Sequence, residues 1–251
     1  MRNVGLQLYT VRHALKEDFV GTLKTIAAIG YRGVELAGYT GNHSPVELRN
    51  IMADLGLQVI GAHCSLDTLE ANWERYLDDL ATLNAGYVGV SWVPEHYRTA
   101  SGWRTVARML NAGAIDALKH GITFFYHNHD FEFQQLNGRC GYDILMEAVD
   151  PALVKAELDV YWVRKGGADP VAYLKKLHGR VPLLHVKDMS AGPQATNEIV
   201  GEGILDFDAI FAAGDASGVA WYIVEQDDCP KGELESIKRS YANMRSRGWL
   251  N

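Results

Sequence analysis

The sequence alternates eight times between a short apolar run and an amphipathic stretch. Runs such as NVGLQLYTV (3–11), YVGVSWV (87–93) and ITFFYHNH (122–129) are rich in Val, Ile and aromatic residues and are nearly continuous in apolar character. Such runs are typical of strands that are covered on both faces in a parallel sheet. Parallel strands need crossover connections, which a helix after every strand supplies. Eight such units within 251 residues most economically close into a single (β/α)8 TIM barrel.

The predicted elements follow the chain without a change in composition. Strands are predicted over 3–11, 32–38, 58–65, 87–93, 122–129, 154–163, 181–188 and 221–227. Helices are predicted over 18–30, 44–56, 67–85, 101–121, 140–150, 169–179, 206–218 and 232–248. The rival architecture is an open doubly wound sheet, but the first predicted strand lacks the GxGxxG that a dinucleotide site there would need. No linker rich in Pro or Ser divides the chain, so we expect one domain over 1–251.

Charge and composition exclude several classes of partner. Lys and Arg number 24 and Asp and Glu 31, which gives a net charge of −7. A nucleic acid or an anionic membrane would require a basic face, so neither partner is expected. No apolar run approaches the roughly 20 residues of a membrane span, and the N-terminal segment lacks the layout of a signal peptide. Three widely separated cysteines without a CxxC indicate neither disulfides nor a zinc knuckle, so we expect a cytoplasmic protein. Surface aromatics such as Trp249 permit a homodimer.

Polar side chains collect where the predicted strands end. They are Gln7, Tyr9, Glu35, His63, Trp92, His127, Asn128, His129, Glu132, Asp159, His185, Lys187, Glu225, Gln226 and Asp227. The carboxyl ends of barrel strands meet at one rim, where the active sites of such barrels lie. An unpaired carboxylate or imidazole inside an apolar run is costly to bury, so several that converge indicate a shared divalent cation. Carboxylates mixed with imidazoles suit Mn²⁺, Co²⁺, Fe²⁺ or Zn²⁺.

Three of these residues also have structural interpretations. Asp159 could cap the loop after its strand, and His185 could be a core histidine bonded to a backbone carbonyl. Glu225 could form a buried salt bridge with Lys187. The ends of three consecutive strands carry these groups, and one shared site explains them more simply than three independent coincidences.

Several segments, in this order, resemble those of the xylose isomerase-like (β/α)8 barrels, in particular the sugar phosphate isomerase/epimerase group. They are GLQLYTVR, GYRGVELAG, YHNHDFEF, ELDVYWV, LLHVKD, VGEG followed by DF, and VEQDD. The resemblance covers essentially the whole chain and is specific for the family, not for a substrate. Its members include sugar epimerases, isomerases, inosose dehydratase-like lyases and enzymes that eliminate or hydrolyse 3-keto-glycosides.

The resemblance implies a divalent metal at the ends of the fifth to eighth strands, commonly held by Glu, Asp, His and Glu. Asp159, His185 and Glu225 match the last three positions. At the first position His127 stands in place of the usual glutamate, and the nearest glutamate is Glu132. We favour His127 as the fourth ligand and assign Glu132 to substrate binding or acid/base chemistry, unless its loop folds back to the ligand position.

The resemblance further implies a metal-dependent isomerase or epimerase acting on an unphosphorylated keto-sugar or keto-polyol. The metal would polarise the carbonyl, a base would remove the neighbouring proton, and an enediolate would follow. Candidate bases are His129, Glu225 and Glu132, and Lys187 would help to stabilise the enediolate. The alternative is a lyase or dehydratase acting on inosose or 3-keto-glycosides, which the histidine at position 127 favours because such relatives share a histidine-rich strand.

Gln7, Tyr9, Glu35, His63 and Trp92 are predicted to hold the hydroxyl groups and one face of the sugar. A structural hydrogen-bond role competes with this interpretation for Glu35 and His63, and core packing competes with it for Trp92. Two other functions compete with catalysis on a sugar: a non-catalytic sugar-binding barrel and an endonuclease IV-like phosphodiesterase. The phosphodiesterase would need more metal ligands and a basic rim, which the net charge of −7 opposes.

Overall fold

Twelve strands and eleven α-helices make up the protein, as seen in a computed structural model that describes residues 1–251. The strands are β1 (Asn3–Gln7), β2 (Gly33–Leu36), β3 (Gln58–Cys64), β4 (Tyr87–Val90), β5 (Thr123–His127), β6 (Gln135–Leu136), β7 (Arg139–Cys140), β8 (Val154–Asp159), β9 (Leu183–Val186), β10 (Asp188–Met189), β11 (Asn197–Glu198) and β12 (Trp221–Val224). The helices are α1 (Arg12–Glu17), α2 (Phe19–Ile29), α3 (Pro45–Asp54), α4 (Leu66–Ala71), α5 (Trp73–Thr82), α6 (Ala100–Lys119), α7 (Gly141–Ala148), α8 (Val160–Lys165), α9 (Pro170–Lys176), α10 (Phe207–Ser217) and α11 (Glu233–Ser246).

Eight of the strands pair in parallel and close into a barrel. Around the barrel they run β1, β2, β3, β4, β5, β8, β9 and β12, and β12 pairs back to β1. The other four strands form two short antiparallel hairpins, β6 with β7 and β10 with β11. The predicted single (β/α)8 TIM barrel is therefore confirmed. None of the helices combines the length and the apolar character that a membrane span requires.

Side-chain caps and a glycine set the ends of two of the helices. The Asp18 side chain accepts a hydrogen bond from the Gly21 amide and starts α2, which Gly30 ends with a φ of 120°. Ser44 and Glu47 form a reciprocal capping box at the start of α3. These caps satisfy amide groups that have no partner within the first turn of a helix.

Three predicted elements are interrupted within their predicted bounds. β1 stops at Gln7 because the Gln7 side chain accepts from the Tyr9 amide and a 3-10 helix follows, which takes Tyr9 off the strand. β8 stops at Asp159, whose side chain accepts from the Trp162 amide and starts α8. The helix predicted over 67–85 is two helices, α4 and α5, that meet at Asn72, where φ is −142°. The predicted strict alternation of eight strands and eight helices is wrong for these reasons.

Apolar side chains fill the lower interior of the barrel. Ile60, Phe125, Leu183, Trp221 and Ile223 form one buried cluster there. Glycines on neighbouring strands make room for it, since a Cβ at Gly5 would lie 2.3 Å from Ile60 Cδ1 and one at Gly89 would lie 2.2 Å from Phe125 Cδ2.

Side chains alternate along a strand, so the next inward position lies two residues further on. Phe125 is thus followed by His127, Leu183 by His185 and Ile223 by Glu225. The barrel therefore has an apolar floor with a polar layer directly above it.

Trp249 is buried, contrary to its description as a surface aromatic. Only 6% of the residue is exposed, and its ring packs 5.5 Å from the rings of both Phe207 and Phe211. The indole nitrogen donates to Asp208 at 2.6 Å. Trp249 closes the core beneath α10 and gives no support to a homodimer.

Asp188 organises the long segment that follows β9. Its buried carboxylate accepts backbone hydrogen bonds from Met189, Gly201, Gly203 and Leu205, at 2.8 to 3.2 Å. A Cβ at Gly203 would lie 2.3 Å from Asp188 Oδ1, so the chain can pass this close only at glycine. One side chain thereby anchors the region between 189 and 205.

We expect Asp188→Ala to lower the free energy of unfolding by about 2 to 4 kcal/mol, because buried amides left without an acceptor cost about 1 to 3 kcal/mol each and water can reach some of them. Urea denaturation followed by circular dichroism measures the change. Asp206→Ala is the matched control, since Asp206 makes one exposed cap bond, to the Ala209 amide, and should cost only about 1 kcal/mol. Equal losses in the two variants would contradict this role of Asp188.

Candidate metal centre and active site

A ring of polar side chains occupies the barrel interior above the apolar floor. Strand register places them at matching heights, since Gln7 pairs with Glu35, His127 with Glu157, and Asp159 with His185. All six residues of these three pairs are buried, with at most 2% of each exposed. Charged groups buried to this extent must be paired with one another or with a metal.

Four side chains converge on one point at the top of this ring. Asp159, His127, His185 and Glu225 can each offer one ligand atom, with the four atoms all within 4.8 Å of one another. His185 Nδ1 lies 2.9 Å from Glu225 Oε2 and 3.9 Å from Asp159 Oδ2. Asp159, His185 and Glu225 are the three residues predicted from the sequence as metal ligands, and His127 is the favoured fourth.

The donor chemistry of this group fits a divalent cation. Asp159 Oδ1 caps α8, whereas Asp159 Oδ2 is buried without any hydrogen-bond partner. The nearest cationic group is the Lys187 ammonium, 3.7 Å from this oxygen. A buried carboxylate oxygen without a hydrogen bond is unfavourable, and a cation at the convergence point would reduce that cost. Two imidazoles with two carboxylates match Mn²⁺, Co²⁺, Fe²⁺ or Zn²⁺ better than Mg²⁺ or Ca²⁺.

A second set of contacts lies directly below, around two glutamates. Glu157 Oε2 is 2.7 Å from His63 Nε2 and 3.1 Å from His127 Nδ1. Glu35 Oε2 is 2.8 Å from His185 Nε2. The sequence analysis missed Glu157, although it lies two residues before Asp159 and therefore points to the same face of β8.

Burial and neighbouring charges shift the pKa values of these groups in opposite directions. Burial raises the pKa of Glu35 to about 7, and the charge of Glu157 adds to the rise. Burial likewise raises the pKa of Asp159 to about 7 and lowers that of His127 to about 4. The pKa of Glu157 lies well below its usual range although burial opposes this, because the imidazoles of His185 and His63 favour the anion.

Lys187 is the cation of the interior and is fully paired. Its Nζ lies 2.6 Å from Asp227 Oδ2, 3.1 Å from Glu225 Oε2 and 3.7 Å from Asp159 Oδ2. The salt bridge considered for Glu225 therefore exists alongside the convergent group. Lys187 is completely buried and does not line the cavity above the convergent group. Its position therefore allows it to hold Glu225 in place but not to make the predicted contact with an enediolate.

A cavity of about 700 Å³ opens above the convergent group. It is lined by Tyr9, Ala37, Gly38, His63, Cys64, Ser65, Thr68, Tyr76, Ser91, Trp92, His127, His129, Trp162, Glu225 and Asp227. Most of its wall lies in or after β1 to β4. Two of the convergent donors end β5 and β8, the third lies in β9, and the fourth, Glu225, directly follows β12. The first half of the chain thus supplies most of the wall, and the second half supplies the donors and the rest of the wall.

The cavity receives only some of the residues predicted to touch a sugar. Tyr9, His63 and Trp92 line it, and Trp92 is 52% exposed. Gln7 and Glu35 do not, because both are completely buried below and are bonded to each other at 2.7 Å. Their predicted substrate contact is corrected to a structural hydrogen bond, which was the alternative for Glu35.

His129 is part of the cavity wall, and one of its ring nitrogens is buried behind the wall surface. Its Nδ1 is buried and has no hydrogen-bond partner. Its ring lies 5.3 Å from that of Trp92, 5.1 Å from that of Trp162 and 5.7 Å from that of Phe131. Burial among these rings lowers the pKa of His129 to about 2, so the imidazole is neutral.

Glu132 faces away from the cavity. Its Oε1 accepts from the Tyr126 hydroxyl at 2.7 Å and its Oε2 from the His129 amide at 2.9 Å. Burial raises its pKa to about 8. The loop does not fold back to the ligand position, and Glu132 belongs to neither cluster of possible ligands. Its predicted contact with substrate is therefore corrected to holding the backbone of His129.

Asn128 was predicted to lie at the end of its strand, but the sequence suggested no function for it. Its side chain accepts from the Asp159 amide at 3.1 Å and donates to the Asp159 carbonyl at 3.3 Å. These two bonds tie the end of β5 to the end of β8. They extend the pairing of β5 with β8 beyond its last residue pair, His127 with Glu157, and hold the backbone of Asp159 in place.

Comparison with known proteins now assigns the family. A sequence profile described as xylose isomerase-like TIM barrel matches residues 23–247. The chain belongs to this family. Inosose dehydratase from Geobacillus kaustophilus is 26% identical over 251 residues, covering 83% of this chain and 80% of that protein. The chain spans about half the length of the first curated relatives it matches, with 51% for inosose dehydratase from Clostridium beijerinckii and 49% for that from Geobacillus thermodenitrificans.

Solved structures agree with this assignment. A sugar phosphate isomerase/epimerase from Parabacteroides distasonis is 26% identical, with a TM-score of 0.88 over 100% of both chains. The IOLI protein, crystallised with a zinc atom, is 15% identical, with a TM-score of 0.80 over 99% of each chain. At that identity the likeness to IOLI concerns the fold alone. The resemblance predicted from the ordered segments is confirmed.

Proposed function

We propose that the protein is a divalent metal-dependent enzyme that removes the proton next to the carbonyl of an unphosphorylated keto-sugar or keto-polyol. The observation that carries the proposal is the convergence of two imidazoles and two carboxylates at the floor of an open cavity, whose wall also contains the imidazole of His129. Isomerisation or epimerisation follows when the proton returns to another carbon or to the other face. Membership of the family and the named relatives support this class of chemistry.

The cation would be held by His127, Asp159, His185 and Glu225. When bound there, a divalent metal supplies a Lewis acid that polarises a carbonyl and acidifies the adjacent C–H bond. Asn128 fixes Asp159 through its backbone, and Lys187 fixes Glu225 through a buried ion pair. The protein thereby sets the ligand geometry through contacts that lie outside the cavity.

His129 would be the group that accepts and returns the proton, through Nε2, because Nδ1 is buried. Its lowered pKa keeps the imidazole unprotonated but makes it a weak base, so the substrate C–H would have to be acidified by the bound cation. The proposed ligands His127 and Glu225 line the same wall as His129. Trp92 and Trp162 flank the imidazole and restrict its rotation, while Glu132 holds its backbone. A positioned base of this kind contributes typically about 10²- to 10⁴-fold to a proton transfer.

The cavity wall matches a neutral, polyhydroxylated substrate. It contains no Lys or Arg, so nothing on it pairs with a phosphate, and Lys187 is already held by three carboxylates. The hydroxyls of Ser65, Thr68 and Ser91 line it and can hydrogen-bond to sugar hydroxyls. Tyr9, Trp92 and Trp162 supply apolar ring faces for the C–H side of a sugar.

Dehydration is the second candidate, and His63 favours it. Eliminating a β-hydroxyl requires a general acid for the leaving group in addition to a base, and His63 and His129 are two imidazoles on one wall. The similarity to inosose dehydratase over 83% of the chain points the same way. Both reactions begin with the same proton removal, so product analysis separates them.

We expect the metal-loaded protein to catalyse deuterium incorporation from D₂O at the carbon next to the carbonyl of a neutral keto-sugar or of inosose. NMR and mass spectrometry measure the exchange across a panel of ketoses, inososes and 3-keto-glycosides, and also detect loss of water. Exchange should stop when a chelator removes the metal. A phosphorylated ketose should exchange more slowly than its neutral counterpart because the wall offers no cation. Absence of exchange across the panel, or exchange unaffected by chelation, would contradict the proposal.

A further inference from the structure

We propose that Glu35 and Glu157, hereafter the carboxylate tier, are positioning residues that fix which nitrogen of each ligand imidazole faces the metal. The inference rests on the proposed metal site and deepens it. Neither glutamate lines the cavity, and both are completely buried. Any effect they have on the reaction must therefore pass through the imidazoles that they touch.

Each glutamate of the tier contacts a different ligand imidazole. Glu157 Oε2 lies 3.1 Å from His127 Nδ1. Glu35 Oε2 lies 2.8 Å from His185 Nε2 and also accepts from the Gln7 amide nitrogen at 2.7 Å. One nitrogen of each ligand imidazole thus contacts a carboxylate of the tier, and these two nitrogens are of opposite type. The other nitrogen of His185, Nδ1, contacts the proposed ligand Glu225.

A neutral imidazole has one N–H donor and one nitrogen lone pair. Since a carboxylate accepts the N–H, the lone pair of His127 is placed at Nε2 and that of His185 at Nδ1. The second assignment agrees with geometry that was not used to make it, because His185 Nδ1 is the atom 2.9 Å from Glu225 Oε2 and 3.9 Å from Asp159 Oδ2. Outer carboxylates of this kind fix the tautomer of a ligand histidine and raise its basicity.

A second cation within the tier is the competing explanation. His63, His127, Glu157 and His185 also bring ligand atoms within 4.8 Å of one another. However, donors around one tetrahedral Zn²⁺ stand about 3.3 Å apart when the bonds are about 2.0 to 2.1 Å. The contacts of His63 Nε2 with Glu157 and of His185 Nε2 with Glu35 are 2.7 and 2.8 Å, which are lengths of charge-assisted N–H···O hydrogen bonds. Contacts of this length assign protons to the tier. The contact of His185 Nδ1 with Glu225, at 2.9 Å, is of the same kind, and the number of metals bound per chain in the test below distinguishes the two layers.

The test measures metal affinity in Glu157→Gln and Glu35→Gln, which keep the size of the side chain and remove its charge. Competition of Zn²⁺ or Co²⁺ against a chromogenic chelator should show binding about 10- to 100-fold weaker than in the wild type. Glu132→Gln is the matched control, because Glu132 is equally buried but contacts no imidazole ring, and its affinity should not change. Urea denaturation shows whether each variant remains folded, and Glu157→Asp provides a second charged variant that should retain part of the affinity.

Long-range ¹H–¹⁵N spectra of the zinc-loaded protein supply a readout that a merely structural role would not move. We expect His127 protonated at Nδ1 and His185 protonated at Nε2, with one metal per chain. The opposite tautomer at either residue, or unchanged metal affinity in both glutamine variants, would contradict the proposed role of the tier and leave the proposed function intact. Two metals per chain, falling to one in His63→Gln, would show that the tier holds an ion and would also overturn it. A wild-type protein that binds no cation would overturn the proposed function and the tier together.

Discussion

Asp159→Asn is expected to lose the metal and the activity while the barrel stays folded. Asparagine keeps an oxygen that can cap α8 in place of Asp159 Oδ1, so the helix start is preserved. The substitution removes the negative charge at Oδ2, the buried oxygen without a partner. Metal affinity should fall by more than about 100-fold, since the loss of an outer carboxylate alone costs about 10- to 100-fold. Elemental analysis after dialysis and the deuterium exchange rate measure the two effects.

Asp169→Asn is the matched control for this variant. Asp169 caps α9 through a bond from the Val171 amide in the way that Asp159 caps α8, but it is exposed and remote from the convergent group. It should retain the metal content and the rate of the wild type. If Asp159→Asn binds the metal as tightly as Asp169→Asn does, the four proposed ligands are wrong.

His129→Gln is expected to slow proton transfer by about 10²- to 10⁴-fold without changing the metal content. Glutamine approximates the polar shape of the imidazole but cannot accept a proton. The loss should appear in kcat more than in KM, because Tyr9, Trp162 and the hydroxyls on the wall still hold the substrate. Deuterium exchange and steady-state kinetics on the same substrate measure it.

His178→Gln is the corresponding control, since His178 is exposed and lies just beyond α9. Its exchange rate and its metal content should both equal those of the wild type. A His129→Gln protein that keeps more than about a tenth of the rate would assign proton transfer to another group on the wall, with His63 and Glu225 as the remaining candidates.

The fold was predictable because its pattern repeats. Eight apolar runs, each followed by an amphipathic stretch, fix the number of barrel strands, and caps such as Ser44 and Gly30 place the helix ends. The ends of β1 and β8 were not predictable from apolar character. LYTV and VYWV read as strand, but the side chains of Gln7 and Asp159 bond to nearby amides and turn the chain into a helix. A local side-chain hydrogen bond outweighed hydrophobic pattern at both places.

The site was predictable only to the level of which strand ends carry polar groups. His127, Asp159, His185 and Glu225 come together, but depth inside the barrel separates residues that look equivalent in sequence. Glu35 ends β2 as His63 ends β3, yet Glu35 lies beneath the cavity and His63 lines it. Strand stagger around the closed barrel sets this depth, and a single sequence does not reveal it.

Two further differences arise from the path of loops. Glu132 follows β5 closely, but a 3-10 turn over Phe131–Phe133 rotates it onto the Tyr126 hydroxyl. Tyr126 faces outward because its neighbours Phe125 and His127 face inward. The same alternation places Glu157, two residues before Asp159, on the inward face of β8. Once one residue of a strand is recognised as a ligand, the residues two positions away from it should also be considered.

The first half of the chain supplies most of the cavity wall and none of the four convergent donors, and this division has an evolutionary consequence. Segments after β1 to β4 can vary in length and composition without altering the donors contributed around β5, β8, β9 and β12. Random libraries confined to 37–38, 65–68 and 91–92 would accordingly diversify the substrates that the proposed active site accepts and leave the four proposed ligands unchanged. New specificities on this scaffold can therefore arise by drift in the first half of the chain alone.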